Sequence, residues 1–146
     1  MLKLDILAFA AHPDDVELTC GGTILQEIKR GKKVGIVDLT AGELGTRGNK
    51  ELRASEAKAA SEVLGITVRE NLGMKDGFFA LDEANQLSII RMIRKYRPEI
   101  ILCNTPSDRH PDHGKAGQLV TDSCFLAGLE KIKTVDQNNT SQARWR

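Results

Sequence analysis

Short apolar runs alternate with longer amphipathic stretches along most of the chain. Runs rich in Leu, Ile and Val predict buried strands at residues 4–10, 34–39, 67–72 and 99–103. Helical spacing of apolar residues predicts helices at residues 16–29, 49–64, 82–97 and 112–126. Their ends carry suitable residues, because Asn49 and Asp82 are good N-caps, Gly31 and Gly65 favour helix ends, and Pro98 stops a helix.

Strands that alternate with helices of this length predict βαβ units. Such units form a Rossmann-like, doubly wound, mainly parallel sheet with helices on both faces, and the expected class is therefore α/β. We expect one domain over residues 1–146, in which residues 134–146 form a polar loop or a frayed end. Sheets of this kind bind ligands at the carboxyl ends of their strands.

Composition narrows the range of functions. The 146 residues are 40% hydrophobic and 28% charged, with a net charge of +1, so nothing indicates a nucleic-acid or membrane-surface partner. The sequence also lacks an apolar stretch long enough to span a bilayer and a signal-peptide pattern. Cys20, Cys103 and Cys124 are odd in number, which favours buried free thiols in a reduced, cytoplasmic protein.

All three histidines of the chain lie in two short motifs that follow predicted strands. The first motif is A-H-P-D-D at residues 11–15, and the second is H-P-D-H at residues 110–113. Parallel strands end at one edge of the sheet, so both loops emerge there. His12 and Asp15 are spaced for one helical turn, and His113 adds a third donor, which predicts a divalent metal site with an open position for catalysis.

The remaining motif residues suggest roles around such an ion. Asp14 would be the general base for a metal-activated water, and His110, oriented by Asp112, would stabilise or protonate the reacting oxygen or amine. Taken singly, the first motif is more often a turn and a helix cap than a ligand pair, and the second is more often a polar loop. The two motifs together, each after a strand, favour the metal site.

The paired motifs resemble those of the PIG-L/LmbE-like family of zinc-dependent N-acetylglucosaminyl deacetylases, most closely the bacillithiol biosynthesis deacetylases. The loop at residues 40–48 and the R-A-S-E run at residues 53–56 are also similar to that family. The resemblance implies metal ligands at His12, Asp15 and His113, with Zn²⁺ or Fe²⁺ as the ion. It assigns the roles above to the other motif residues and implies sugar contacts for Arg53 and Asp76.

The resemblance also implies a small-molecule amino-sugar conjugate, such as N-acetylglucosaminyl malate, as substrate, and a homo-oligomer, trimeric or hexameric in the family. Family members extend further, so the C-terminal part of the family fold is expected to be missing here. A non-catalytic metal- or sugar-binding fragment therefore stands as an alternative. A Rossmann-like nucleotide binder is a weaker one, because acidic residues occupy the turn that would need glycines.

Overall fold

The computed structural model describes residues 2–145 and contains one parallel sheet of four strands in the order β3-β2-β1-β4. The strands are β1 (Ile6–Ala10), β2 (Val34–Thr40), β3 (Val68–Met74) and β4 (Ile100–Leu102). The helices are α1 (Asp15–Lys29), α2 (Lys50–Leu64), α3 (Glu83–Tyr96) and α4 (Pro111–Ala127). The predicted Rossmann-like α/β class is confirmed.

The central strand β1 is apolar throughout because both of its faces are covered. Ile6 and Ala8 belong to a cluster with Ile24 of α1, whereas Leu7 and Phe9 point into a larger cluster with α3 and α4. Burying each large side chain contributes about 1.5–3 kcal/mol. Strands buried on both faces lose the apolar–polar alternation of a half-exposed sheet, and this explains the continuous apolar run.

The predicted helix ends of α2 and α3 are confirmed. The Asn49 side chain accepts a hydrogen bond from Leu52 N at 2.8 Å, and the Asp82 side chain accepts one from Asn85 N at 2.9 Å. Gly65 ends α2 with a φ of 78°, a left-handed conformation that glycine adopts without strain. Each cap satisfies a backbone group that the helix itself leaves unpaired.

The predicted start of β1 is wrong by two residues. Leu4 N donates to Tyr96 O at 3.0 Å, and Asp5 N donates to Lys33 O at 2.9 Å, so these residues pair with the ends of neighbouring elements before the strand begins. At the other end of the sheet, β3 continues to Met74, beyond the predicted residue 72. Tertiary pairing sets these limits, and an apolar run does not reveal it.

The expectation of buried thiols is wrong. All three cysteines are free, but Cys103 is exposed, and Cys20 and Cys124 are only partly buried. Cys103 directly follows β4, which within the described part of the chain pairs with β1 alone and therefore leaves its other side uncovered. Among residues 2–145, no helix combines the length and apolar character needed to cross a bilayer.

Residues 134–145 form an irregular segment that is fastened at several points. Val135 and Ser141 form an isolated antiparallel bridge. Near the end, Trp145 N donates to Ala127 O and Trp145 Nε1 donates to Pro98 O, both at 2.9 Å. Arg146, the last residue of the predicted polar segment, lies outside the described residues. The segment therefore packs against the ends of α3 and α4.

Candidate metal centre

The two motifs meet because β1 and β4 are adjacent and parallel. His12 and Asp112 are 100 positions apart in the chain, yet their side chains are in contact. Ala11 N donates to Asn104 Oδ1 at 2.9 Å, which ties the two loops together. Gly117 of α4 permits this packing, because a Cβ there would lie 2.6 Å from Asn104 O.

The structure brings together the three predicted metal ligands. His12, Asp15 and His113 each offer a ligand atom, and these atoms all lie within 4.8 Å of one another. His12 Nδ1 is 3.6 Å from Asp15 Oδ2, and His113 Nε2 is 3.3 Å from Asp15 Oδ1. His12 and Asp15 are both buried, with 8% of each residue exposed, whereas His113 lies nearer the surface.

A second layer of acidic and amide groups orients these side chains. His12 Nε2 lies 3.0 Å from Asp76 Oδ1 and 3.2 Å from Asp112 Oδ2. His113 Nδ1 lies 3.2 Å from Asp108 Oδ2, which leaves Nε2 facing Asp15. A carboxylate on the distal nitrogen of a histidine fixes its tautomer and its ring, as is usual around protein metal ions.

The electrostatics of this cluster favour a bound cation. Burial alone would lower the pKa of His12, but the hydrogen bond and charge of Asp15, with the carboxylates of Asp76 and Asp112, raise that pKa to about 9. Burial would raise the pKa of Asp15, but the hydrogen bonds from His12 and the charge of His113 hold it below its ordinary value. The donor set of two imidazoles and one carboxylate fits Zn²⁺ or Fe²⁺.

The backbone conformation and the surroundings of Asp14 differ from those of Asp15. Its φ of 143° is a conformation that non-glycine residues rarely adopt, and the Asp14 carboxylate makes no capping hydrogen bond to α1 in residues 2–145. The half-exposed carboxylate instead lies 3.3 Å from Arg53 Nη2. Burial raises the pKa of Asp14, and the Arg53 guanidinium opposes this rise. The strained turn separates two consecutive acids, one facing His12 and the other facing Arg53.

The structure gives Asp112 a different partner from the one predicted. Its carboxylate contacts His12 Nε2, accepts a hydrogen bond from Gly77 N at 2.8 Å and pairs with Lys115 Nζ at 2.8 Å. Its contact with His110 is through the backbone, since Asp112 N donates to His110 Nδ1 at 3.2 Å. Asp112 lies in the first turn of α4, where its side chain is directed back toward the first motif rather than toward the preceding histidine.

Asp76 and Arg53, the predicted sugar contacts, are both engaged within the protein. Asp76 is buried, with its Oδ1 on His12 and its Oδ2 accepting from Leu44 N at 2.9 Å. Arg53 donates to Pro13 O, Asp14 Oδ2 and Gly42 O. Both side chains therefore make contacts within the protein, and their contacts with a sugar stay predictions.

His110 lies beside the predicted ligands. Its ring centroid is 4.8 Å from that of His12 and 4.8 Å from that of His113, with which it is stacked. His110 is exposed and is the N-cap residue of α4. With His12 and Asp112 it forms a second group whose donor atoms lie within 4.8 Å of one another. The three imidazoles therefore form one cluster.

Sequence reasoning missed Asp108 and Asn104. Asp108 holds the His113 ring and also accepts from His110 N at 2.9 Å, and Asn104 Nδ2 donates to Asp15 Oδ2 at 3.2 Å. Both precede the second motif in the loop after β4. Their place between a predicted strand and the second motif made both residues candidates for the site. Polar residues are too common in such loops for this position alone to identify them.

A groove of about 510 Å³ opens beside Asp14. Its walls come from α1, α2 and the glycine loop at residues 40–48, which carries Gly42, Gly45 and Gly48. Charged groups of both signs line it, among them Glu17, Arg47, Arg53 and Glu56. A polar ligand that reaches Asp14 could extend along this groove.

Comparison with known proteins identifies a family whose model matches this chain. The model of the family described as PIG-L: GlcNAc-PI de-N-acetylase matches residues 7–124. A diacetylchitobiose deacetylase of Thermococcus kodakarensis is 33% identical, over 90% of this chain and 53% of its own length. A probable N-acetyl-alpha-D-glucosaminyl L-malate deacetylase 2 of Bacillus anthracis is 28% identical, over 81% of this chain and 58% of its own length.

Among solved structures, a conserved protein from Thermus thermophilus is similar with a TM-score of 0.88 and 39% identity. The match covers 98% of this chain and 62% of that one. The chain thus spans between about half and three fifths of the length of these relatives.

Proposed function

Because the chain belongs to the PIG-L family of de-N-acetylases, near the bacillithiol deacetylases, we propose that it is a metal-dependent hydrolase that removes the acetyl group from an N-acetylglucosaminyl conjugate. The observation that carries the proposal is the approach of His12, Asp15 and His113 from opposite ends of the chain. Their donor atoms match a site for one divalent ion, Zn²⁺ or Fe²⁺.

The proposed chemistry divides among the motif residues. His12, Asp15 and His113 would hold a divalent ion, which would supply Lewis acidity for lowering the pKa of a water and polarising the amide carbonyl. Asp14 accepts the proton of the attacking water, a role that the raised pKa of this carboxyl supports. His110 donates a hydrogen bond to the developing oxyanion or a proton to the departing amine.

The surrounding residues keep these groups in place. Asp108 orients His113 through Nδ1, and Asp76 and Asp112 orient His12 through Nε2. Asn104 donates to Asp15 and so fixes the carboxylate between the two imidazoles. Side chains held in this way need little rearrangement as the reaction proceeds, which is what preorganised catalysis requires.

The proposed substrate class follows from the named relatives and the groove. Those relatives act on N-acetylated glucosamine units joined to a second sugar or to malate. The groove beside Asp14 has room and charged walls for such a second group. We propose N-acetylglucosaminyl malate as the first substrate to test.

The test measures free amine and acetate released from N-acetylglucosaminyl malate, N-acetylglucosamine and its oligomers by the zinc-loaded protein. We expect turnover with one of the conjugates. Asp14→Asn should abolish turnover while the metal content stays that of the wild type. His113→Ala should lose both turnover and bound metal. Full activity of the Asp14 variant would refute its role as the base.

Non-catalytic metal or sugar binding is the second candidate function, because the same donor cluster and groove would bind an ion and a ligand without turnover. It predicts stoichiometric zinc binding without amine release from any substrate. Calorimetric titration of the zinc-loaded protein with N-acetylglucosaminyl malate, run beside the turnover assay, separates the two candidates.

A further inference from the structure

The guanidinium of Arg53 joins three segments around the candidate site. Arg53 Nη2 donates to Pro13 O at 3.1 Å and to Asp14 Oδ2 at 3.3 Å, and Nη1 donates to Gly42 O at 3.4 Å. The side chain is 20% exposed, so it is largely enclosed by these partners. A single side chain of α2 thus connects the first motif to the glycine loop.

The glycine loop is shaped around this guanidinium. A Cβ at Gly42 would lie 2.7 Å from Arg53 Cζ, and a Cβ at Gly45 would lie 2.7 Å from Arg53 Nη1. Gly42 also has a φ of 64°, which disfavours a side chain by itself. The loop lacks side chains where the guanidinium passes, so the two glycines form a cradle for it.

Asp14 needs such support because its backbone is strained. Its φ of 143° is unfavourable for any residue with a Cβ, and such conformations persist only where neighbouring contacts impose them. Arg53 supplies two of those contacts, one to the Asp14 carboxylate and one to the carbonyl of Pro13. Removing them would free the carboxylate to relax away from its present direction.

We infer that Arg53 is a positioning residue, which acts on Asp14 through its contacts with the Asp14 carboxylate, the Pro13 carbonyl and the glycine loop. The inference rests on the proposed function, because it assigns Arg53 to the geometry of the proposed base. The planar guanidinium of arginine can donate to several acceptors at fixed angles, whereas the ammonium of lysine is a single point charge on a flexible chain. The role therefore requires the guanidinium and not merely a positive charge.

The test separates kcat from KM in three variants. Arg53→Gln should lower kcat by about 100-fold with KM little changed, the scale of loss expected when a reacting group is displaced by about 1 Å. The kcat of Arg53→Lys should stay close to that of Arg53→Gln, because a positive charge alone does not restore the hydrogen bonds of the guanidinium. Gly45→Ala should also lower kcat, although Arg53 itself is retained, because the new methyl displaces Nη1.

Two arginines serve as matched controls. Arg47 is exposed and lines the same groove, so Arg47→Gln should act on KM rather than on kcat. Arg30 lies at the far end of α1 with an exposed side chain, so Arg30→Gln should leave both constants unchanged. Unaltered kcat in both Arg53→Gln and Gly45→Ala, with a raised KM in the former, would overturn the inference in favour of a substrate contact.

Amide hydrogen exchange gives a readout that does not need turnover. Residues 41–48 should exchange faster in Arg53→Gln and Gly45→Ala than in the wild type, while the sheet keeps its protection and the melting temperature stays close to that of the wild type. Unchanged exchange in both variants would contradict the positioning role. If the wild-type protein released no amine from any substrate, the proposed function would fail, and the exchange result would still decide whether Arg53 fixes the loop.

Discussion

At the residue scale, the consecutive acids Asp14 and Asp15 show how one turn creates two kinds of carboxylate. Asp15 is buried and bridges toward His12 and His113, and its pKa is lowered. Asp14 is half-exposed and strained, and its pKa is raised. Environments that push two carboxyl pKa values apart are typical of sites that use one group as a ligand and the other as a base.

Asp108 offers a sharp test of the second layer. Its carboxylate holds His113 Nδ1 at 3.2 Å, so Asp108→Asn should weaken zinc binding by about 10- to 100-fold. The affinity is measured by competition with a chromogenic chelator. Asp122→Asn is a matched control, because Asp122 is only partly buried on α4 and its carboxylate accepts from Gln118. Equal affinities in the two variants would contradict the orienting role.

The convergence of the histidines could be predicted from the sequence because there are only three of them and both motifs follow strands. Their second-layer partners could not, because the chain has 20 acidic residues and spacing does not show which of them turn inward. Asp112 illustrates the difficulty. Its place beside His110 in sequence suggested that histidine, but the first turn of α4 directs its carboxylate to His12.

At the element scale, hydrogen bonds from Arg94, near the end of α3, hold the segment that follows α4. Arg94 is buried, 3% exposed, and donates to Thr134 Oγ1 and to the carbonyls of Ala127, Leu129 and Ile132. Its charge is therefore surrounded by neutral acceptors, and burial lowers its pKa. The contacts turn residues 127–134 into an ordered corner between α4 and the irregular segment.

Arg94→Gln should lower the free energy of unfolding by about 2–4 kcal/mol, because several buried carbonyls lose a charged donor. Urea denaturation followed by circular dichroism measures the change. Arg91→Gln, on the same helix and less buried, should stay within about 0.5 kcal/mol of the wild type. A comparable loss in both variants would show that the effect is not specific to the Arg94 hydrogen bonds.

An ion pair between β3 and α3 makes stability depend on pH. Burial would raise the pKa of Glu70, but Lys95 Nζ at 2.7 Å and the Tyr96 hydroxyl lower it below its ordinary value of 4.5. A lowered pKa stabilises the folded state above the unfolded pKa, and this contribution disappears as the pH falls through the folded pKa.

Glu70→Gln should therefore cost stability at neutral pH, and this disadvantage should begin to shrink below a pH of about 4.5 and disappear as the pH falls through the lowered pKa of the folded state. Melting temperatures of the wild type and the variant, measured from pH 7 to pH 3, give the comparison. Two parallel curves would contradict the assignment, because the variant lacks the carboxyl whose titration should bring the curves together.

Helix ends were more predictable than strand ends. Asn49, Gly65 and Asp82 act through local hydrogen bonds or local backbone geometry, which the sequence encodes directly. The start of β1 depends instead on pairing with residues near Lys33 and Tyr96, which are distant in the chain. The exposed Cys103 was likewise unpredictable, because it depends on β4 lying at the edge of the sheet.

At the scale of the whole molecule, the strand order assembles the candidate site. The order β3-β2-β1-β4 places the first and last strands side by side, so the loops after β1 and β4 share one edge. The alternation of strands and helices predicted this edge correctly, since parallel strands all end on the same side. It did not predict the groove or the cradle of Arg53, which depend on loop conformation.

A resident ion should stabilise the folded protein as a whole. Free zinc at 100 times its dissociation constant adds about 2.7 kcal/mol when only the folded state binds it. Chelation should therefore lower the melting temperature of the zinc-loaded wild type, and added zinc should restore it. His113→Ala should melt at the same temperature with and without chelator. A wild-type melting temperature that does not change on chelation would contradict the metal site.

The pairing of β1 with β4 also bears on how the chain folds. β1 and β2 are close in sequence, whereas β2, β3 and three helices separate β1 from β4, so we expect the pairing of β1 with β4 to be the slowest to form. Before that step, His113 is far from His12 and Asp15. A refolding chain should therefore gain tight affinity for zinc only at its slowest, longest-range step, so that capture of the ion marks the completion of the native topology.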